Sequence, residues 1–203
     1  MKLYDEGYEQ CSCFWGTKPA KLVQEAVALS KLSSNIKAFD VGCGEGKNSN
    51  FLAENGIFVI GIDESEIAIN HANTLWKDSS ALFLVNDMKK INGSDSSFDI
   101  IVSTGSIHCL ENTDEVIMIM NKMKRLLRSG GLFVFSSFNN RHQEFQGHPL
   151  NFNPILLSHD FYLNQFNGFE LIHESDKDLI DKHPNNEIEH IHSITRILAR
   201  KID

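Results

Sequence analysis

The residue types with the clearest chemical meaning form a glycine-rich turn after an apolar segment. Gly42, Gly44 and Gly46 follow this segment, and Asp63 stands at the end of the next apolar segment along the chain. Because glycine has no Cβ atom, the chain can turn tightly there and a ligand can approach the backbone. A carboxylate at the end of the second strand can accept hydrogen bonds from both hydroxyls of a ribose. The spacing therefore predicts that the turn and Asp63 bind a nucleoside-containing ligand together.

Two cofactors compete for such a turn, and a purely structural turn is the third possibility. A dinucleotide site favours the spacing G-x-G-x-x-G, in which the helix N-terminus binds a pyrophosphate. Here the spacing is G-x-G-x-G, and Asp40 lies two residues before the first glycine. This pattern resembles motif I of the class I S-adenosylmethionine (SAM)-dependent methyltransferases. In that family an acid beneath the turn helps to hold the ammonium group of SAM.

The elements that must position these residues alternate between strands and helices. Apolar segments predict strands at 36–41, 57–62, 81–85, 98–103 and 132–135, with helical patterns between them. This alternation predicts βαβ units with right-handed crossovers and a mostly parallel sheet that is covered on both faces. Beyond Phe138 a polar stretch interrupts the pattern. Two further strands, 168–174 and 192–201, are predicted on either side of a polar loop.

Further motifs extend the resemblance to class I SAM-dependent methyltransferases over most of the chain. Asp87 follows the third strand, where the family often has an acid for the adenine amino group, and Asp99 matches its acid on the fourth strand. The segment 106–110 resembles the family's A-L-H-H-L stretch, and 126–131 resembles its L-L-x-P-G-G turn. The resemblance implies an α/β fold with a single Rossmann-like, doubly wound, mostly parallel seven-stranded sheet and an antiparallel C-terminal strand.

The same resemblance implies SAM as cofactor and S-adenosylhomocysteine as product. It assigns cofactor binding to the turn, to the strand ends and to one early aromatic residue: Trp15, Asp40, Gly42, Cys43, Gly44, Asn48, Asp63, Glu64, Asp87, Met88 and Ser103. We expect one domain over residues 1–203, with an N-terminal lid segment and helix (1–34), a SAM-binding half (35–137) and an acceptor-side half (138–203).

A narrower resemblance is to the tellurite-resistance methyltransferases. The segment 15–19 looks like their W-G-x-x-P opening, and 46–49 resembles their G-R-N-S. By this likeness Trp15 lies over the cofactor as part of a lid, although a core anchor is the alternative. The chain departs from that group before the last strand, where His183, His190 and His192 stand in place of its arginines. Because of this departure, the resemblance does not assign tellurite as the substrate.

Histidines supply the candidate groups for catalysis and for binding the methyl acceptor. In this family the fourth-strand exit faces the transferred methyl group, so His108 is the candidate catalytic base, and orienting or stacking on the cofactor is its alternative role. His190 and His192 alternate along a predicted strand and therefore share a face. With His148 or His159 they are candidates to bind an anionic acceptor or a metal, unless they are ordinary strand-end residues.

Composition narrows the class of acceptor. The chain has 203 residues and a formal net charge of −8 without a basic block, which argues against a nucleic-acid substrate. The [ND]-P-P-[YF] motif of amino-group methylases is absent after the fourth strand, so we expect a small molecule such as a metalloid oxyanion, a thiol or another metabolite. Without a signal sequence or a long apolar run, we expect a cytoplasmic protein with no membrane contact.

Two other function classes remain open from the sequence. A non-catalytic SAM-binding protein would carry the same motifs, because binding and turnover share them. A nicotinamide-dependent oxidoreductase would need a shifted third glycine and a catalytic Tyr-Lys or similar pair, which the sequence does not show. The cysteines have no zinc-site spacing, although Cys11 and Cys13 could hold a soft metal or metalloid.

Overall fold

A computed structural model describes residues 4–30, 35–146, 148, 152–182 and 188–202. His183, one of the histidines considered above, lies outside this part of the chain. The strands are β1 (Lys37–Val41), β2 (Phe58–Asp63), β3 (Leu82–Val85), β4 (Phe98–Thr104), β5 (Leu127–Gln143), β6 (Phe169–Asp181) and β7 (His190–Lys201). The helices are α1 (Asp5–Gln10), α2 (Lys21–Ser30), α3 (Lys47–Glu54), α4 (Glu66–Leu75), α5 (Thr113–Leu126) and α6 (His159–Asn164).

All of these strands belong to one sheet in the order β3-β2-β1-β4-β5-β7-β6. The pairs among β1 to β5 are parallel, whereas β7 pairs antiparallel with both β5 and β6. The predicted fold class, a seven-stranded, mostly parallel α/β sheet with an antiparallel C-terminal strand, is confirmed. The sheet order reverses beside β1, and ligands of open α/β sheets bind at such a point.

Apolar side chains alternate between two cores, one on each face of the sheet. Ala38, Ile100 and Val134 pack on one face with α2 and α3. Their sequence neighbours Phe39 and Ile101 pack on the opposite face with α5 and α6. Because both faces of the central strands are buried, β1 and β4 consist mainly of apolar residues, and their polar groups concentrate at the carboxyl ends.

Some element boundaries differ from those that the sequence predicts. Strand β5 begins at Leu127, before its predicted start at residue 132, because Leu127 is already extended and pairs with Phe98 of β4. Strand β6 continues to Asp181, well past the predicted end at residue 174, because it pairs with β7 along its whole length. These extra pairs determine which side chains of β6 and β7 meet across the sheet.

Candidate functional site

A cavity of about 450 Å³ lies at the carboxyl ends of the parallel strands. Its lining comes from the turn after β1, from the ends of β2 and β4, from the loop after β3, and from the face of β7. This volume falls in the range of small-molecule sites. The cavity therefore occupies the place that the sheet order predicts for a ligand.

The glycine turn after β1 forms one wall of the cavity. Gly42 has φ +72°, and a Cβ atom there would clash with the side chain of Ser106. Gly44 also has a positive φ, +54°. The backbone N–H groups of Gly42 and Cys43 both donate to the carbonyl oxygen of Ile62, each at 2.9 Å. These two bonds fix the turn against the end of β2. Any side chain at position 42 would displace Ser106.

Asp63 links the glycine turn to the start of α4. One carboxylate oxygen accepts the N–H of Gly44 and the other accepts the N–H of Ser65, each at 2.9 Å. Burial raises the pKa of Asp63, and these two N–H donors oppose that shift. Each oxygen keeps a further lone pair for a ligand, so Asp63 can accept hydrogen bonds from a ribose while it is held rigidly.

The predicted cofactor residues line this cavity, with two exceptions, Asp40 and Ser103. Asp40 is fully buried beneath the turn and accepts a 2.7 Å hydrogen bond from the hydroxyl of Ser49. Burial raises its pKa to about 7. Ser103 is also fully buried, and its hydroxyl lies 3.1 Å from that of Ser106. Both residues support the lining from behind, so direct contact with a cofactor stays a prediction for them.

An N-terminal segment, residues 4–16, covers part of the cavity. Tyr4, Tyr8 and Trp15 all line it, and the indole N–H of Trp15 donates to the Tyr8 hydroxyl at 3.2 Å. The Lys47 ammonium donates to the backbone carbonyl of Trp15 at 2.6 Å and so attaches this segment to α3. Trp15 packs against other aromatic rings and also faces the cavity, so a lid over the cofactor and a core anchor both stay predictions.

His108 lines the cavity in a fully buried position. Its Nε2 lies 2.8 Å from the hydroxyl of Tyr4, and its ring stacks on Phe138 with centroids 4.2 Å apart. Its Nδ1 is buried, and no described residue is a hydrogen-bond partner for it. Burial, with a smaller contribution from His192, lowers the pKa of His108 to about 3. The imidazole is therefore neutral at physiological pH and is a weak base.

The structure brings the other predicted histidines together, but not on the cavity wall. His148, His190 and His192 form a cluster whose possible ligand atoms lie within 4.8 Å of one another. Phe138 separates this cluster from the cavity, because its ring stacks on His192 with centroids 4.3 Å apart. His159 stands apart and bonds to Thr195 and Glu174 instead. Acceptor binding by the cluster stays a prediction.

Several lining residues were not predicted from the sequence. Asp181 and Arg196 line the cavity from β6 and β7, and Tyr4 and Tyr8 do so from the N-terminal segment. Arg196 lies an even number of residues after His192, so the alternation that paired the histidines also places Arg196 on their face. The tyrosines carry no such signal, because the segment 1–16 lacks periodicity. Cys11 and Cys13 belong to no candidate metal cluster among the described residues.

Comparison with known proteins assigns the family. A family model described as a methyltransferase domain matches residues 32–183, which is most of the chain. The chain belongs to this methyltransferase family. It is therefore a SAM-dependent methyltransferase, as the resemblance implied, and the nicotinamide alternative is set aside. Within the described residues, the methyltransferase has no helix with the length and apolar character of a membrane span.

Similar proteins share the assignment to different extents. The chain is 35% identical over 108 residues to the putative methyltransferase YqeM of Bacillus subtilis, covering 52% of this chain but only 44% of YqeM. It is 32% identical over 127 residues to the uncharacterized methyltransferase C1348.04 of Schizosaccharomyces pombe, covering 60% of this chain and 86% of that protein.

Solved structures support the fold of this methyltransferase. TehB from Haemophilus influenzae matches with a TM-score of 0.69 at 22% identity, covering 88% of this chain and 62% of that chain. A SAM-dependent methyltransferase from Methanosarcina mazei matches with a TM-score of 0.72 at 18% identity, covering 92% and 100%. At these identities the likeness is one of fold, and the acceptor must be inferred from the residues of the cavity.

Proposed function

We propose that this methyltransferase transfers the methyl group of SAM to a small anionic nucleophile, such as a thiolate or a metalloid oxyanion. One observation carries the proposal: the cavity that contains the glycine turn and Asp63 continues to Arg196 on β7. A single cavity thus offers carboxylates for the cofactor and a cation for the acceptor. The acidic net charge of −8 gives no general attraction for nucleic acid, which favours a small acceptor.

The residues present fit SAM in both shape and polarity. The positive φ of Gly42 and the tight space beside Ser106 leave bare backbone where the amino-acid tail of SAM would lie. Asp63 and Glu64 face the cavity for the ribose, and Asp87 with Met88 faces it for the adenine. When bound, SAM supplies a methyl group on a positively charged sulfur atom. The chain supplies position and a largely dry environment for it.

The acceptor side combines apolar walls with a small number of charges. Phe138 of β5 and Ile194 of β7 line it, and Arg196, two residues after Ile194 on β7, lines it as well. The guanidinium of Arg196 also donates to the backbone carbonyl of Lys177 at 3.4 Å. Burial lowers the pKa of Arg196, although a guanidinium remains charged at neutral pH. Asp181 lines the cavity as well, so the positive charge is local and suits a compact anion.

The protonation state of His108 favours an acceptor that needs no base. A base is needed only where the nucleophile must lose a proton during transfer. With a pKa of about 3, His108 removes a proton poorly, whereas a thiolate or oxyanion already has a free lone pair. We therefore propose that His108 orients the acceptor through hydrogen bonding, together with Tyr4. Its role as catalytic base stays a prediction that a pH–rate profile can test.

The test of this proposal measures S-adenosylhomocysteine release with a panel of thiols, selenite, tellurite and neutral amines. The informative variant is Arg196→Gln, and Arg200→Gln is the matched control because Arg200 lies on the same face of β7 but outside the cavity lining. We expect turnover with an anionic member, and an acceptor KM raised about tenfold or more in Arg196→Gln. The SAM Kd should be unchanged in both variants.

Two outcomes would overturn the proposal. Tight SAM binding without release on any panel member would indicate a non-catalytic SAM-binding protein. Turnover confined to neutral amines, with equal acceptor KM values in Arg196→Gln and Arg200→Gln, would remove the anionic acceptor.

A further inference from the structure

Three imidazole rings meet beside the cavity without being part of its lining. His190 and His192 are buried on one face of β7, and His148 approaches them from the segment that follows β5. The Nε2 atoms of His148 and His192 are 3.0 Å apart. The ring centroid of His148 lies 5.0 Å from the ring centroid of His190 and 5.0 Å from that of His192. Such a convergence needs a chemical reason, because each ring brings a polar edge into a largely apolar place.

The hydrogen bond of His190 fixes which of its nitrogens carries the proton. Its Nδ1 lies 3.0 Å from the carbonyl oxygen of Ile188. A carbonyl oxygen can only accept, so Nδ1 must donate, and the neutral ring then has its lone pair on Nε2. The bond to Ile188 therefore fixes the tautomer in which Nε2 of His190 has the electron pair that a metal ligand needs.

The neighbouring amide fixes the tautomer of His192 in the same way. The amide nitrogen of Gln143 donates to the carbonyl oxygens of Asn139 and Ser193, at 2.7 and 2.8 Å. These two bonds leave Oε1 of Gln143 facing Nδ1 of His192 at 2.7 Å. Nδ1 must therefore donate, and the lone pair of His192 is also on Nε2. Histidine ligands of metals are commonly oriented by such an outer hydrogen bond.

This arrangement of lone pairs favours a metal ion over an anion. An anion requires N–H donors, whereas Nε2 of His190 and Nε2 of His192 are both acceptors. A cation of the zinc class requires lone pairs, and imidazole nitrogen is among its usual ligands. Two nitrogens bound tetrahedrally at about 2.0–2.1 Å from zinc lie about 3.4 Å apart. The 3.0 Å between His148 and His192 is close to that separation.

We propose that His148, His190 and His192 form a binding site for Zn²⁺ or a chemically similar divalent transition metal. Each histidine contributes Nε2; in the metal-free chain Nε2–H of His148 donates to His192, so metal binding requires that proton to move to Nδ1 of His148. The fourth position of the tetrahedron is left to water or to a small ligand. The inference goes beyond the proposed function, because it needs neither SAM nor a particular acceptor.

Aromatic rings around the site hold the ligands in place. His192 stacks on Phe138 at 4.3 Å between centroids, and His148 stacks on Phe152 at 4.3 Å. Phe145 packs against both histidines, at 5.7 and 5.8 Å. An apolar shell limits access of water and strengthens electrostatic contacts inside it. The opposite side of Phe138 carries His108, so the metal site shares one aromatic wall with the cavity.

The experiment uses the full chain without a histidine tag, after removal of metal with a chelator and dialysis. Co²⁺ is the probe, because its visible absorption reports tetrahedral coordination, and Zn²⁺ is then added as competitor. The variants are His148→Ala, which alters a half-buried position, and His192→Gln. The control is His173→Ala on the neighbouring strand β6, outside the cluster. Circular dichroism and melting without metal establish that each variant is folded.

We expect one Co²⁺ per wild-type chain, full displacement by Zn²⁺, and a Tm that rises when Zn²⁺ is added. His148→Ala should weaken Zn²⁺ binding by more than the roughly 10- to 100-fold that loss of an outer hydrogen bond causes. His173→Ala should bind like the wild type.

The proposal is overturned if the wild-type chain shows no one-to-one complex, or if folded His148→Ala keeps wild-type affinity. Should His192→Gln fail to fold, His148→Ala decides the question. Because the readout is metal binding, its failure leaves the methyltransferase assignment untouched, and loss of methyl transfer leaves the metal site untouched.

Discussion

Asp63 concentrates much of the predicted cofactor affinity in one side chain. It faces the cavity and is held by the N–H groups of Gly44 and Ser65. We expect Asp63→Asn to weaken SAM binding by about 1.5–3 kcal/mol, the scale of hydrogen bonds to a charged group. Isothermal titration calorimetry measures this change, with the exposed Asp95→Asn as control. Equal SAM affinity in both variants would contradict the assignment of Asp63.

Two buried groups give the free energy of unfolding opposite dependences on pH. The pKa of Asp40 is raised by burial to about 7, so the folded chain keeps a proton that the unfolded chain loses above about pH 4. Stability from this group is therefore lost as pH rises from about 4 to about 7. The pKa of His108 is lowered to about 3, so below about pH 6.5 only the unfolded chain binds its proton. Stability from His108 is lost as pH falls.

We expect each slope to emerge when the opposing group is removed. In Asp40→Asn, stability relative to wild type should rise between about pH 4.5 and 6.5, and in His108→Gln it should fall over the same window. Each change should be of the order of a few kcal/mol. Urea unfolding at closely spaced pH values measures both, and the double variant is the control. If the free energy of unfolding depended on pH in the same way in both single variants, the pKa shifts of Asp40 and His108 would be wrong.

At the scale of elements, the N-terminal segment 4–16 is the part of the cavity lining whose movement on ligand binding can be tested. It contributes Tyr4, Tyr8 and Trp15 to the cavity and includes only one short helix, α1. If this segment closes over the cofactor, bound S-adenosylhomocysteine should alter the fluorescence of Trp15. The chain has a second tryptophan, Trp76, so the measurement belongs in a Trp76→Phe background.

We expect a change in intensity or in emission maximum that saturates at the Kd measured by calorimetry. In the same background, Trp15→Phe removes the signal and is the control. Unaltered Trp15 emission at saturating ligand would favour a core anchor over a lid.

The sequence specifies the elements of the SAM half better than those of the acceptor half. Apolar runs and glycine turns mark β1, β2 and β4 because these strands are buried on both faces and end abruptly at polar groups. Strand β6 is mostly exposed, so no apolar run marks its extension to Asp181. Pairing with β7 determines that end, and pairing across distant segments has no local signal.

The same distinction applies to residues. The spacing of the turn glycines and of Asp63 is visible in the sequence, whereas Tyr4 is held at the cavity by contacts with His108 and Phe152, which lie far along the chain. The histidine cluster can be predicted only in part. Alternation along the strand places His190 and His192 on one face, but it cannot place His148 beside them.

At the scale of the whole molecule, the net charge of −8 should distinguish ligands by their own charge. SAM carries one net positive charge, whereas S-adenosylhomocysteine is zwitterionic and has none. Salt screens the long-range attraction of the protein for SAM over about 10 Å at 0.1 M. We expect the SAM Kd to rise several-fold between 20 and 300 mM NaCl, with little change for S-adenosylhomocysteine. Calorimetry at both salt concentrations measures the pair, and equal salt dependence would contradict this origin.

For an anionic acceptor we expect the opposite effect of salt at low concentration, namely a KM that falls as salt is added. The distant acids repel it while Arg196 attracts it only at close range, so screening should lower its KM until the local contact is itself weakened. Initial-rate measurements over the same salt range test this, with a neutral acceptor as control. A KM that rises steadily from the lowest salt would mean that attraction dominates at every distance.

The position of β7 also bears on how the molecule is made. This strand lies between β5 and β6, although the ribosome synthesises it after both of them. Until residues 190–201 have emerged, β5 and β6 each present an edge with unpaired backbone groups, and such edges recruit other chains. A nascent chain that pauses before residue 190 is therefore a natural client for chaperones. The sheet is completed in one late step, when β7 inserts between β5 and β6.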